Sequence, residues 1–286
     1  MGKKYIRYSY NHRGFQVFII VYLILCTLFC LLSLFITILN ACKTNANIIS
    51  NGIFGLLEGN VFKIIGDNFS MAWGTLQKSF WNSILFSFLG AFLNCLIGAI
   101  LAYVFTYKDF PFKRFIFTVY ISVMLLPSIM GMPILVPFMQ QKLQWTNSIY
   151  GYLSPMIAGG QVGSLFLFKT FFAQQPISIY ESARVEGGND FKMFIKITIP
   201  LALPIILYHF IGSFASIYND YLWASLIMEP GTLMMPTLQS ASQTYQETQR
   251  GAMYMLYVIS SFPLIITTAI SMKFFASGEF ASGLKL

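Results

Sequence analysis

Gln174-Gln-Pro-Ile-Ser-Ile-Tyr-Glu-Ser-Ala-Arg-Val-Glu-Gly-Gly-Asn-Asp-Phe-Lys-Met-Phe-Ile-Lys-Ile-Thr-Ile-Pro200 is the polar stretch on which the fold turns. Pro176 stops whatever precedes it, because proline has no N–H and clashes with a preceding helical turn. Ser178 followed three residues on by Glu181 has capping-box spacing, which serves the orphan N–H groups at a helix start. Gly187-Gly188 supplies a left-handed stop. The expected helix over 179–187 is about 12 Å long at 1.5 Å per residue. Two turns are marginal in water on their own, so such an element needs a surface to dock on. Asn189 or Asp190 can cap the next helix, and Pro200 and Pro204 should bend its base.

On either side the chain becomes apolar. Uncharged runs cover residues 143–168 and 197–219, and four more cover 14–42, 79–107, 115–141 and 251–272. Each exceeds the roughly 20 residues needed to cross a hydrocarbon core. The 286 residues are 56% hydrophobic with only 28 formal charges, 18 basic and 10 acidic, too few to cover a soluble surface of that size. The disordered and disulfide-stapled classes fall with the same arithmetic. None of the runs shows the ten-residue alternation of an outer-membrane barrel. The expectation is an all-α integral membrane protein with six transmembrane helices.

Lys and Arg set its orientation. With the amino terminus inside, Lys3, Lys4, Arg7, Arg13, Lys108, Lys113, Arg114, Lys169, Arg184, Lys192, Lys196, Lys273 and Lys285 are cytoplasmic, against Lys43, Lys63, Lys78, Lys142 and Arg250 outside. That bias is the positive-inside pattern, with both termini cytoplasmic. It accounts for the net charge of +8 without nucleic acid. Leu39-Asn40-Ala41-Cys42 loosely resembles a lipoprotein processing site, but Asn40 fits it poorly, and an uncleaved first span is expected.

Catalytic constellations do not emerge. There is no Gly-x4-Gly-Lys-Ser/Thr phosphate loop, no His-Glu-x2-His zinc pattern and no Gly-x-Ser-x-Gly elbow. Cys26, Cys30 and Cys95 read as small hydrophobes, and no metal set stands at ligand spacing. His209, within the fifth span, reads as a packed or pore-lining side chain. Asn94 and Gln161 are open to two readings, pathway lining or interhelical hydrogen bonding. Asn219 and Asp220 are either sugar contacts or local helix packing near the outer interface, with Tyr221 and Trp223 as interfacial anchors.

The loop itself resembles a known pattern. Glu181-Ser182-Ala183, three residues, Gly187, nine residues, then Ile197-Thr-Ile-Pro200 is similar to the E-A-A-x3-G-x9-I-x-L-P signature of ABC importer permeases, with Ser182 for Ala and Ile199 for Leu. Phe80-Trp-Asn-Ser83, Met124-Leu-Leu-Pro127, Asn147-Ser-Ile-Tyr-Gly151, Gly212-Ser-Phe, Asn219-Asp-Tyr-Leu-Trp223 and Phe275-Ala-Ser-Gly-Glu-Phe-Ala-Ser-Gly283 extend the likeness to the carbohydrate-uptake branch. There it resembles the smaller permease subunit of maltose-type transporters. Ser213-Phe214 and the spacer Ala215–Tyr218 depart from the usual Gly-Ser-Trp-Asn-Asp.

The resemblance implies an ABC importer permease fold. It implies a basic tail over 1–14, a first transmembrane helix over 15–41, an external loop over 42–78, a permease core over 79–275 containing the coupling loop 174–197, and a cytoplasmic tail over 276–286. It implies that Glu181, Ser182, Ala183, Arg184, Glu186, Gly187, Asp190 and Pro200 serve coupling to an ATPase, Glu181 through charge-assisted contacts and Gly187 by permitting close approach. Glu181 keeps its reading as a cap residue beside that one. The implied partners are a second, non-identical permease, two copies of a cytoplasmic ATPase, an external solute-binding protein and membrane lipid. No cofactor is expected on this chain, ATP belonging to the partners. In the maltose-type arrangement most sugar contacts belong to the other permease. Permeases for a polyamine or an amino acid are the alternative within the class, and a secondary carrier is the alternative outside it.

Overall fold

The computed structural model describes residues 13–276, and every element among them is helical. The expected tail residues Lys3, Lys4, Arg7 and His12, and the tail beyond Ala276 with Lys285, lie outside the described residues. The helices are α1 (Arg13–Ala41), α2 (Asn45–Asn51), α3 (Val61–Tyr107), α4 (Lys113–Ser122), α5 (Met132–Pro137), α6 (Ile149–Phe172), α7 (Ile177–Val185), α8 (Asp190–Met193), α9 (Ile199–Tyr218), α10 (Leu222–Ile227), α11 (Met234–Thr248) and α12 (Arg250–Ala276). The chain divides into two compact units, Met1–Ala72 with Thr244–Val258, and Trp73–Gln243 with Ile259–Leu286.

In the first unit α1 is apolar all round, and none of its most apolar window is buried within the chain. A helix of that character is stable only in an apolar medium or against another apolar surface. Its end is tied down by amides. Asn40 donates to the carbonyls of Ile36 (2.7 Å) and Ile53 (3.0 Å), and Asn68 to those of Ala41 (2.9 Å) and Lys43 (3.0 Å). Lys43, counted above among the outer charges, lies in the turn after α1 and is buried, with Nζ donating to the carbonyls of Gly52 (3.4 Å) and Ile53 (3.0 Å). From Val61 onward the polar stretch is the start of α3, whose 47 residues span about 70 Å.

The second unit holds two apolar cores. One gathers Tyr103, Leu165, Phe168, Phe172, Tyr180, Phe194 and Ala202, the other Tyr152, Ile217, Trp223, Ala224 and Leu233. Small residues let α3 and α6 meet closely between them, as at many membrane helix contacts. A Cβ on Gly98 would lie 2.1 Å from that of Ser164, and one on Gly160 would lie 2.4 Å from Asn94 Nδ2.

Four continuous helices are long and apolar enough to span a membrane: Phe15–Ala41, Val61–Tyr107, Asp190–Tyr218 and Arg250–Met272. Two bent pairs bring the number to as many as six. The expected run 115–141 is not straight, since Lys113–Leu125 and Ser128–Leu143 meet at 91°. Pro127 forces the residue before it out of helical geometry, and Leu126 is extended at φ −86°, ψ 124°. The second pair is Ile149–Phe172 with Ile177–Val185, bent by 82° at Pro176.

Candidate functional site

The 82° bend makes α7 a separate element, and its ends follow from the sequence with one exception. The start lacks the expected capping box. Pro176 is the cap residue and makes no side-chain cap bond, so Ser178 falls inside the first turn. A proline there needs no box, because it stops the preceding segment and leaves one fewer donor to satisfy. The other end is a Schellman stop. Gly187 lies at φ +78°, its N–H donates to the Arg184 carbonyl (3.0 Å), and that of Gly188 donates to the Ala183 carbonyl (2.8 Å). Asn189 then caps α8, its side chain accepting from Lys192 N at 2.9 Å.

The two faces of α7 differ. Tyr180 points inward and is 3% exposed. Its hydroxyl donates to Gln175 Oε1 and lies 2.9 Å from Thr198 Oγ1. The Tyr107 hydroxyl joins from α3, 2.9 Å from the Phe172 carbonyl and 3.1 Å from Gln175 Oε1, with its ring centroid 4.4 Å from that of Tyr180. Thr198 ends a wide turn, Phe194–Thr198, that joins α8 to α9. Pro200 sits in the first turn of α9, where its missing N–H does no harm. Lys108 and Asp190 pair at 2.5 Å beside this network, both partly exposed. One buried polar cluster therefore ties α7, the end of α3 and the foot of α9 together.

Outward, Glu181, Ser182, Arg184, Val185, Glu186 and Gly187 are exposed, and Ala183 is half-buried. Val185 is 89% and Phe191 74% exposed, beside charges of both signs. Val185 at the end of α7 and Phe191 in α8 thus leave apolar surface uncovered within the chain, beside charged groups. Of the eight expected coupling residues, the structure brings all but Pro200 and Asp190 onto α7 and its stop, while those two serve the foot of α9.

Higher on α9 the chain forms a half-open cavity of about 620 Å3, a size typical of small-molecule sites. Asn94 from α3, Met132 from α5, Gly160 from α6, His209 and Ser213 from α9, and Asp220 and Trp223 line it. Asn94 is 2% exposed, its Nδ2 donating to Ser213 Oγ at 3.0 Å. His209 Nε2 lies 2.6 Å from Ser164 Oγ. Asp220 caps α10, accepting from the N–H of Ala224 (2.8 Å) and Trp223 (3.4 Å). Burial pushes its carboxyl up, while those donors and the Tyr152 hydroxyl pull it down. The Trp223 indole donates to the Tyr152 carbonyl at 3.1 Å and is buried, placing it in a core. Gln161 and Asn219 are not among the lining. Gln161 turns to the Ala158 carbonyl (3.5 Å) and Asn219 to that of Ala215 (3.0 Å).

Sequence reasoning passed over Tyr107, Gln175, Tyr180 and Thr198. The available signal was Tyr180 itself, the one aromatic in a two-turn helix that also carries Glu181, Ser182 and Arg184.

A short exposed helix bonded through a buried polar cluster to the foot of a membrane helix that lines a cavity is an arrangement suited to a transport subunit. Residues 94–279, nearly two thirds of the chain, match the family of binding-protein-dependent transport system inner membrane components, and the chain belongs to that family. It is therefore a multi-pass protein of the cell membrane. It is 26% identical over 148 residues to a probable ABC transporter permease of Pyrococcus horikoshii, 52% of this chain and 53% of that relative, so the match spans about half of that relative's length. It is 22% identical to the arabinooligosaccharides transport system permease AraQ of Bacillus subtilis, over 98% of this chain and 99% of that one. The crystal structure of a bacterial ABC transporter involved in the import of the acidic polysaccharide alginate contains a chain of the same fold, with TM-score 0.73 and 18% identity over 92% of this chain and 98% of that chain.

Proposed function

We propose that this chain is the membrane subunit of an ATP-driven importer for a sugar or oligosaccharide and forms half of its pathway. On this reading it crosses the membrane six times with both termini inside, and it pairs with a second, non-identical permease. Two ATPase subunits supply the hydrolysis that the chain's own residues do not perform, and an external binding protein delivers the solute. Carbohydrate as the cargo follows from relatives named for oligosaccharide and polysaccharide import.

The observation that carries the reading is the route from α7 to the cavity. The outward face of α7 offers Glu181, Arg184, Val185 and Glu186 to a partner, and its inward face is fixed through Tyr180 and Thr198 to the foot of α9. The upper part of the same α9 carries His209 and Ser213 on the cavity wall. A displacement of α7 by closing ATPases would thus be carried along one helix to the pathway. A coupled motion of this kind needs a contiguous, well-packed route, and this one is hydrogen-bonded throughout its foot.

Co-purification with the cognate ATPase tests it. Glu181→Lys and Gly187→Asp should each reduce recovery of the ATPase and its solute-stimulated turnover, with the folded chain retained in the membrane. Full recovery and full stimulation in both variants would remove α7 from the coupling role.

A further inference from the structure

We infer that the cavity beside α9 is a glycan subsite belonging to this chain and that it accepts uncharged in preference to anionic sugar units. The inference rests on the importer reading and adds a substrate class to it. It also departs from the expectation that the partner permease holds most sugar contacts.

Three observations carry it. The wall combines neutral hydrogen-bonding groups, among them Asn94, Ser128, Ser213 and Ser216, with apolar Met132 and Leu135. That mixture suits a solute with hydroxyl groups on its rim and C–H faces between them. Two of the polar groups hold unused capacity. Asn94 Oδ1 is buried with no hydrogen-bond partner, and Ser213 Oγ accepts from Asn94 while donating to no group among the described residues. A buried acceptor left open destabilises the empty state, so a donating hydroxyl that reached it would be favoured.

The third observation is charge. No Lys or Arg lines the cavity, its one imidazole, His209, is engaged with Ser164 Oγ at 2.6 Å, and its one carboxylate is Asp220. A uronate or phosphorylated unit would lose much of its hydration without gaining a cation or a cluster of free N–H groups. It would also meet the like charge of Asp220, whose own N–H partners are already engaged in capping α10. A neutral oligosaccharide meets neither difficulty.

The test uses the assembled transporter in lipid discs without the binding protein, so that the selectivity of that component does not intervene. Cys26, Cys30, Cys42 and Cys95 are replaced by Ala, and Ser216→Cys places a single thiol on the wall. Maltotriose and arabinotriose should slow maleimide labelling of that thiol severalfold, and trigalacturonate at equal millimolar concentration should leave the rate unchanged. Asp220→Asn keeps a capping side chain and should narrow the difference between the two kinds of sugar. Equal or better protection by trigalacturonate overturns the selectivity. Labelling unaffected by any of the sugars overturns the subsite. Either result leaves the importer reading standing as long as the ATPase still co-purifies, whereas loss of that association in the unmodified chain would defeat the reading itself.

Discussion

The two ends of α9 are built by opposite rules. The foot is crowded with polar groups that bond one another: Tyr180, Gln175 and Thr198 share hydrogen bonds, Tyr107 closes the cluster from α3, and Lys108 reaches Asp190 beside it, with the buried Tyr103 hydroxyl next to Tyr107 left without a partner. The upper half carries Gly212, Ser213 and Ser216 along a cavity and leaves Asn94 Oδ1 unsatisfied. Buried networks of shared hydrogen bonds hold one geometry, while small residues around open space permit several. The comparison teaches where a transport subunit places stiffness and where it places freedom. On the proposed reading, stiffness lies at the knob that would receive force, and freedom lies around the solute's path.

Substitutions at the foot should therefore affect coupling, and the severest is at the helix stop. Gly187→Val puts a β-branched residue at φ +78°, strained by roughly 1–2 kcal/mol, and adds bulk at the expected ATPase contact. Solute-stimulated ATP turnover should fall to the unstimulated level, measured on the purified complex. Tyr180→Phe comes next. It removes one oxygen from a buried network at a stability cost of about 1–3 kcal/mol. Turnover should persist while solute uptake per ATP falls severalfold, and Thr198→Val should produce the same split from the other side of the bond. Unchanged uptake per ATP in both variants would dissolve the contrast between the two ends.

At the upper end, Gly160→Leu should collide with Asn94, whose Nδ2 would lie 2.4 Å from a Cβ there, displace that amide from the cavity wall, and slow uptake while ATPase association stays at the wild-type level. The smallest effect belongs to the surface. Lys108→Ala breaks a partly exposed pair with Asp190, worth about 0–1 kcal/mol, and thermal unfolding in detergent should shift by no more than a few degrees.

How far the sequence reveals this contrast depends on the kind of residue. The spans show because a hydrocarbon core imposes a length of apolar run that few other environments demand. The end of α7 shows because Gly187 and Gly188 have a single economical use after a short helix. The start does not. Ser178 and Glu181 have capping-box spacing, yet Pro176 takes the boundary, and the spacing alone cannot reveal which residue does so. The 91° break at Pro127 is hidden inside an uncharged run, because hydropathy is blind to backbone direction. The burial of Lys43 is similarly hidden, since the carbonyls of Gly52 and Ile53 to which it donates lie nine and ten residues away in a segment with no regular pattern. At the site, the outward residues of α7 are legible as a spaced motif, but the cluster beneath them is not. Tyr107, Gln175, Tyr180 and Thr198 come from four separate segments and meet only in three dimensions. The cavity shares that limit. Asn94 and Asp220 reach it and Gln161 and Asn219 do not, although all four are polar groups in or beside apolar runs.

The central claim is that α7 and the foot of α9 move as one body. Spin labels at Ser182→Cys and Leu203→Cys, in a chain cleared of its four native cysteines, report the distance between them by pulsed electron resonance. In the assembled transporter that distance should stay the same whether nucleotide is absent or ATP is bound, and it should broaden in Tyr180→Phe. A clear change on ATP binding in the otherwise unaltered chain, with the ATPase still attached, would contradict the account.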